Sequence, residues 1–305
     1  MRIIVTGGSG FIGSHLIEEL VAHGHQVFSV DVRDPLSKVK GVTHTTGDIC
    51  DHETLTKTFA SFKPDAVVHL AALPSIQQSI KEPHVSLRTN VAGTYSVIEA
   101  ARSSGASRVV FASSAAVYGK TTEEMKGKPI SESVALQPLN PYALAKKMGE
   151  EFMRMAADEK LWKSIDAVSL RFFNVYGPRK RRDSPYRTAI ETFTEVWKEG
   201  KPFPIFGDGT QRRDFIFVKD VVRALRLAAE RTEKFKGEII NIAYGKNFSV
   251  IDAANFIGGE THPKDFLPAR PGEIKESLAD TSKAKKLLGW SAEVSFKDGL
   301  QELKK

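Results

Sequence analysis

Residues 3–13 read IIVTGGSGFIG, and the fold turns on how this stretch is divided. Ile3, Ile4 and Val5 are apolar and β-branched, which suits a strand buried on both faces. Gly7, Gly8, Gly10 and Gly13 follow at once; Gly8, Gly10 and Gly13 satisfy G-x-G-x-x-G, and Gly7, Gly10 and Gly13 satisfy G-x-x-G-x-x-G. Ile12, Leu16 and Leu20, with Ile17 and Val21, then line one face of a helix. Glycine allows a tight turn and lets the backbone approach a ligand, and the helix N-terminus presents free N–H groups to an anion. A lone glycine fingerprint is often an ordinary turn. A strand before it and a helix after it are the context that favours a dinucleotide.

Gly7, Gly10, Phe11, Ile12 and Gly13 are therefore the candidate pyrophosphate cradle. Asp31 ends the next strand. Its carboxylate suits both hydroxyls of the adenosine ribose and repels a 2′-phosphate, so NAD is expected rather than NADP. Arg33 points the other way, and a plain turn cap is the alternative for Asp31. Asp48 and Ile49 follow a further short strand, in position to flank the adenine.

Outward from the glycines, Val27–Val30, Ala66–Leu70, Val109–Ala112 and Ala167–Arg171 read as further buried strands separated by helical patterns. Such alternation implies a parallel sheet with right-handed crossovers. The expected fold is α/β: a Rossmann-type, doubly wound parallel sheet with a smaller, irregular α/β C-terminal substrate domain. From about Asn174 prolines and glycines punctuate short elements. Residues 1–173 are assigned to the dinucleotide-binding domain, with 214–244 returning to it through a helix at Val218–Glu230 and a strand at Glu238–Ile242. Residues 174–213 and 245–305 form the substrate domain, and Ser282–Leu288 and Phe296–Leu303 read as helices.

The chain has 305 residues and a formal net charge of +7, enough length for a real core and a balance that suits anionic ligands without choosing among them. No apolar run approaches the ~20 residues of a membrane span, and the N-terminus turns glycine-rich too soon for a signal peptide. The one cysteine, Cys50, has no internal disulfide partner, which fits a reducing cytoplasm. No Cys/His cluster has metal-ligand spacing, so no metal is expected.

Asn140 and Pro141 mark a helix start, as N-cap and first residue. Tyr142 and Lys146 follow on one face, four residues apart. A free tyrosine, with a pKa of about 10, is a poor base at neutral pH. A neighbouring ammonium and an oxidised nicotinamide ring would lower that value and let the phenol exchange a proton with an alcohol. The bare Y-x-x-x-K pattern usually marks a solvated helix face. Ser113 and Ser114 end the strand within FASSAAVYG, residues 111–119, where open parallel sheets bind ligands. One is expected to cap backbone groups and one, Ser114, to hold the reacting oxygen.

Together these motifs resemble the extended short-chain dehydrogenase/reductases, and within them the UDP-glucose 4-epimerase-like enzymes of the NAD-dependent epimerase/dehydratase family. The resemblance covers nearly the whole chain. It is carried by TGGSGFIG (Thr6–Gly13), HLAA (His69–Ala72), NVAGT (Asn90–Thr94), SSAAVYG (Ser113–Gly119), YALAK (Tyr142–Lys146), RFFNVYGP (Arg171–Pro178), RRDFIFVKD (Arg212–Asp220) and ARPGE (Ala269–Glu273). It implies Ser114, Tyr142 and Lys146 as the catalytic group. Leu70, Ala71, Ala72 and Asn90 join the cofactor site, and Asn174, Arg213 and Arg270 hold the nucleotide diphosphate of a UDP-sugar. A homodimer is implied as well, with neither nucleic acid nor membrane as partner.

Two alanines sharpen the expectation. Dehydratases of the family resemble SSAAVYG but carry Asp-Glu after the hydroxyl residue, and decarboxylases keep an acid at the second position. Ala115 and Ala116 can neither donate nor accept a proton, which leaves the oxidation and return of an epimerase, and the resemblance then implies UDP-glucose/UDP-galactose exchange as the leading expectation. The alternatives are a 4-epimerase of an N-acetylhexosamine or uronic acid, a reductase that releases its cofactor, and a non-catalytic NAD-sensing or RNA-binding protein. Retention of Ser114, Tyr142 and Lys146 together, and the lack of aromatic-basic interleaving, argue against the last. Pro74 stands where some epimerases carry a phosphate-side lysine. The basic run Arg179–Arg182 reads as a solvated loop, with contact to substrate phosphates or a carboxylated sugar as the alternative.

Overall fold

The computed structural model describes residues 1–36, 38–120, 127–160, 165–180, 188–269 and 274–304. The first half runs β1 (Arg2–Thr6), α1 (Phe11–Ala22), β2 (Gln26–Asp31), β3 (Thr43–Thr46), α2 (His52–Phe62) and β4 (Ala66–His69). It continues through α3 (Ile76–Lys81), α4 (Pro83–Leu87), a π-helical turn (Arg88–Gly93), α5 (Thr94–Ser103), β5 (Arg108–Ser114), α6 (Pro141–Ala157) and β6 (Asp166–Phe172). The second half holds β7 (Asn174–Tyr176), α7 (Ala189–Lys198), β8 (Phe203–Phe206), β9 (Arg212–Phe217), α8 (Val218–Glu230) and β10 (Glu238–Ile242). β11 (Asn247–Ser249), α9 (Val250–Gly258), β12 (Lys264–Leu267), α10 (Ser282–Leu288) and α11 (Phe296–Glu302) complete it.

Seven parallel strands form the main sheet in the order β10-β6-β5-β4-β1-β2-β3. The chain leaves β1 toward β3, then returns and winds from β4 the other way. The crevice beyond β1 and β4 is therefore the switch point at which such sheets bind ligands. On one face Ile3, Val5, Val68 and Val110 pack with Leu16 of α1 and Leu225 of α8. On the other, Ile4, Val67, Val109 and Phe111 pack with Phe59 of α2, Ile98 of α5 and Met153 of α6. Burial on both faces is why these strands read as continuous apolar runs.

Two smaller sheets follow: β7 pairs parallel with β9, β9 antiparallel with β11, and β8 parallel with β12. Their core is aromatic, with Tyr176, Phe193, Phe203, Phe215, Phe217 and Phe296 buried together. β9 thus lies with the small sheets, while α8 and β10 join the main one; Ile240 of β10 faces Leu170 of β6 in register. Among the described residues no helix is long and apolar enough to cross a membrane.

Candidate active site

β1 delivers the chain into a turn that only glycine accommodates. Gly7 has φ +76°, and a Cβ there would stand 2.6 Å from the Ala71 backbone nitrogen at the end of β4. A Cβ on Gly13 would stand 2.2 Å from the Gly7 carbonyl oxygen. The two strands of the switch point and the start of α1 are thus pressed backbone to backbone. Gly10, the N-cap of α1, has no side-chain oxygen, and the first turn of the helix holds no acidic residue. Its N–H groups are left for an anion in the crevice.

A cleft of about 600 Å³ opens above this turn. Gly7, Gly10, Phe11, Ile12 and Gly13 line it, as do Leu70, Ala71 and Ala72 from the end of β4. Asp31 lies in its wall with the carboxylate fixed by two N–H donors, Ser9 at 3.0 Å and Arg33 at 3.0 Å. The turn-cap reading of Asp31 is observed, and the cap leaves carboxylate lone pairs available in the cleft wall. Asp48 and Ile49 line the cleft farther along, and Asp48 pairs with Arg88 at 3.5 Å. Asn90 is placed differently. It is buried within the π-helical turn, its amide bracketing the Leu73 backbone by accepting from N at 2.8 Å and donating to O at 3.0 Å. It shapes the wall after Ala72, and Thr89 is the neighbour that lines the cleft.

The chemical group sits on β5 and α6. Asn140 caps α6 by accepting from the Ala143 N–H at 2.9 Å, which fixes the first turn and with it Tyr142. Gly149 lets the helix lie on the Phe111 ring, where a Cβ would meet Cζ at 2.5 Å. The serines divide in a way the sequence did not foretell. Ser113 is buried and donates to Glu150 Oε1 at 2.6 Å. Ser114 both caps, accepting from the Ala116 N–H at 3.2 Å, and hydrogen-bonds the Tyr142 phenol. Lys146 is 4% exposed; its Nζ donates to the Ala112 carbonyl at 2.7 Å and lies 5.9 Å from the Tyr142 ring centre.

Burial pushes the Tyr142 phenol above its ordinary value, opposed by the Ser114 hydroxyl. The same desolvation pulls Lys146 down to about 8, against the opposing charge of Glu150.

On the far wall, Asn174 opens β7 and donates to the Asp214 carbonyl at 3.0 Å. Arg213, on β9, lines the cleft beside it. The Asp214 carboxylate accepts N–H groups from Tyr244 at 2.8 Å, Gly245 at 3.1 Å and Ala279 at 3.1 Å, which locks the strand that carries Arg213. Arg270 lies outside the described residues. Of the basic run, Arg179 forms a bidentate ion pair with Glu18 of α1, at 2.8 and 2.5 Å. Lys180 lines the cleft, reaches Glu191 at 2.7 Å and stands 5.7 Å over the Phe11 ring. Arg181 and Arg182 lie outside the described residues. Ala115 and Ala116 line the cleft next to Ser114.

Residues 3–243 match the sequence pattern of the NAD dependent epimerase/dehydratase family. The chain belongs to that family. The UDP-glucose 4-epimerase of Mycolicibacterium smegmatis is 34% identical over 98% of this chain and 96% of its own length. The UDP-glucuronate 4-epimerase of Thermodesulfobacterium geofontis is 32% identical over 98% of this chain and 93% of its own. The crystal structure of UDP-glucose 4-epimerase with UDP-glucose from Thermotoga maritima superposes with a TM-score of 0.89 at 32% identity, covering 100% of this chain and 97% of that one.

The epimerase/dehydratase family is NAD-dependent, and the cleft of this member fits the dinucleotide. The glycine turn lines the cleft without side chains, the α1 N-terminus is open to an anion, and the Asp31 carboxylate lies in the same wall, able to accept hydroxyl hydrogen bonds. Sequence reasoning missed Glu150 and Arg171, and gave Lys180 only as part of the basic run Arg179–Arg182. Arg171 carried a signal, since a charge inside a doubly buried strand requires a buried partner.

Proposed function

We propose that this member of the family is a 4-epimerase that interconverts UDP-glucose and UDP-galactose through a transient 4-keto sugar. The observation that carries the reading is the pairing of a Tyr142–Ser114–Lys146 group with two alanines beside it in one cleft, a site equipped for proton exchange at one carbon and lacking the acids that dehydration needs. The likeness to UDP-glucose 4-epimerases supports it.

In this reading Gly7, Gly10 and Gly13, with the α1 N-terminus, hold the pyrophosphate of NAD, and Asp31 holds its adenosine ribose. Phe11, Ile12, Asp48, Ile49, Leu70, Ala71 and Ala72 pack around the dinucleotide, while Asn90 braces its wall. When bound, NAD supplies a hydride acceptor and the positive charge of its oxidised ring. Tyr142 takes the proton from the sugar O4 and later returns it. Ser114 holds that oxygen in line, and Lys146 stabilises the phenolate. Asn174, Arg213 and Arg270 retain the nucleotide while the sugar turns about its diphosphate link, which exposes its opposite face. The nucleotide-sugar is assigned to residues 174–213 and 245–305, and the dinucleotide to 1–173 with 214–244, apart from Asp214–Phe217 of β9, which lies with the small sheets.

A uronic acid is the second reading, because a cation, Lys180, lines the same cleft and a UDP-glucuronate 4-epimerase is among the relatives. Incubating the purified protein with UDP-glucose, UDP-glucuronate and UDP-N-acetylglucosamine, without added NAD, distinguishes these. UDP-galactose is the expected product; turnover of UDP-glucuronate alone would replace the first reading with the second. Net NADH formation would instead indicate a dehydrogenase.

Asp31→Ser keeps a capping oxygen but removes the charge. It is expected to weaken NAD binding by roughly tenfold to a hundredfold, as for loss of a charged hydrogen bond, and to admit NADP. Calorimetric titration with both dinucleotides checks this, and unchanged NAD affinity would leave Asp31 a turn cap only.

A homodimer goes with the reading. Tyr95 on α5 and Leu144, Met148 and Met155 on α6 are exposed large apolar side chains on adjacent helices, the kind of stripe that two antiparallel helix pairs bury against each other. A cytoplasmic site of action accords with the unpaired Cys50 thiol.

A further inference from the structure

Glu150 lies one helical turn beyond Lys146 on α6 and is 1% exposed. Its carboxylate accepts three hydrogen bonds: Ser113 Oγ at 2.6 Å and Arg171 Nε at 2.8 Å on Oε1, and Arg171 Nη2 at 2.8 Å on Oε2. Arg171, on β6, is also 1% exposed, and its guanidinium lies 4.7 Å over the Tyr118 ring. A fully buried ion pair is seldom the most stable way to fill a core, since desolvating both ions opposes their attraction. Its placement suggests another use. Ala112, Ser113 and Ser114 are consecutive on β5; the first takes Lys146, the second Glu150, and the third touches Tyr142. One strand end thus registers three side chains spaced by one turn each along α6.

We propose that Glu150, fixed by Arg171 and Ser113, is a positioning residue that keeps Lys146 charged and so sets the upper pH limit of proton transfer at Tyr142. This rests on the acid–base reading of Tyr142 and Lys146.

The surroundings of Lys146 support it. From its own helix it faces Tyr142 and Glu150. Phe111 of β5 lies 4.7 Å from Nζ, and behind that ring stacks His69 of β4. His69 is held neutral, its pKa pulled down to about 3 by burial, so it brings no competing charge. From β6 comes Arg171, whose charge is taken by Glu150. Glu132 reaches Arg171 with its backbone carbonyl at 3.4 Å, while its carboxylate turns to the Asn241 N–H at 2.8 Å. Tyr118 donates its phenol proton to Asn241 Oδ1 at 2.7 Å and stays neutral, its pKa pushed up to about 12. Glu150 is the anion set against the desolvation of Lys146.

The test is the Glu150→Gln variant of the full chain. The alkaline limb of kcat is expected to move down by about one pH unit. The Lys146 midpoint, read by NMR in 13C-lysine-labelled protein without sugar, is expected to move with it. Glu150→Asp keeps the charge and is expected to keep the limb. If Glu150→Gln does not fold because Arg171 is left unpaired, the double variant Glu150→Gln/Arg171→Met removes both charges and is expected to show a smaller shift in the same direction. A uniform rate loss with unmoved limb and midpoint, or failure of both variants to fold, makes the cluster an element of the fold and overturns the assignment. The underlying reading fails separately: it falls if Tyr142→Phe turns over normally, and it stands if that variant is inactive while the Glu150→Gln limb is unmoved.

Discussion

Tyr142→Phe is expected to lower turnover by about 10²–10⁴-fold, the range for loss of a positioned acid–base group, or roughly 3–5 kcal/mol of barrier. The substitution removes one oxygen. The ring stays wedged at the start of α6, whose cap at Asn140 and seat on Phe111 do not involve the phenol. Folding and dinucleotide binding are therefore expected to survive, and turnover alone to fall. Two measurements separate these: conversion of UDP-sugar under saturation, and the dinucleotide released when the purified variant is denatured. Turnover within a few-fold of the parent would remove Tyr142 from proton transfer. Loss of bound dinucleotide together with turnover would assign it to cofactor binding instead.

The second large effect is expected at Gly7→Ala. Two costs combine there: a left-handed backbone at φ +76°, and a Cβ 2.6 Å from the Ala71 backbone nitrogen, which follows directly on β4 and cannot move alone. The first costs roughly 1–2 kcal/mol and the second about 1–3 kcal/mol. Together they correspond to a fall in Tm on the order of 10 °C for a domain of this size. Gly24→Ala is the control. Its φ of +77° is nearly the same, but nothing lies within 4 Å of the added carbon. It is expected to show the conformational cost alone and to retain dinucleotide, whereas Gly7→Ala should lose it. Equal destabilisation in the two variants would mean that the contact between β1 and β4 relaxes freely, against the close packing of the switch point.

The glycine turn and the five central strands were legible because their physics is local. A strand buried on both faces must be apolar throughout, and a phosphate turn must lack Cβ atoms. β3 was legible only as a short strand before Asp48, without bounds, for the opposite reason. Its sequence, THTT, is polar and half exposed, and it forms a strand by pairing with β2 alone at the sheet border. Strands of three or four residues, such as β7, β8 and β11, depend on partners far along the chain, so the two small sheets could be anticipated only as an irregular region. At the site, spacing put Tyr142 and Lys146 on one face but did not say which acceptor an ammonium with three donors would choose; it chose the Ala112 carbonyl. Asn90 illustrates the same limit: its motif was recognisable, while its hold on Leu73 depends on a π-helical turn that no periodicity revealed.

The pairing of β10 with β6 has a consequence for how the molecule is put together. The two strands are neighbours in the sheet although β7, α7, β8, β9 and α8 lie between them in the chain. Part of the small sheets, β7 to β9, is thus inserted between two strands of the large one, and β11 and β12 follow it. A polypeptide ending after Phe173 would leave the edge of β6 that faces β10 unpaired along a hydrophobic ribbon, inviting sticky self-association. The dinucleotide-binding half is accordingly not a detachable module, and late closure of a distant strand makes slow maturation of the whole polypeptide the natural outcome.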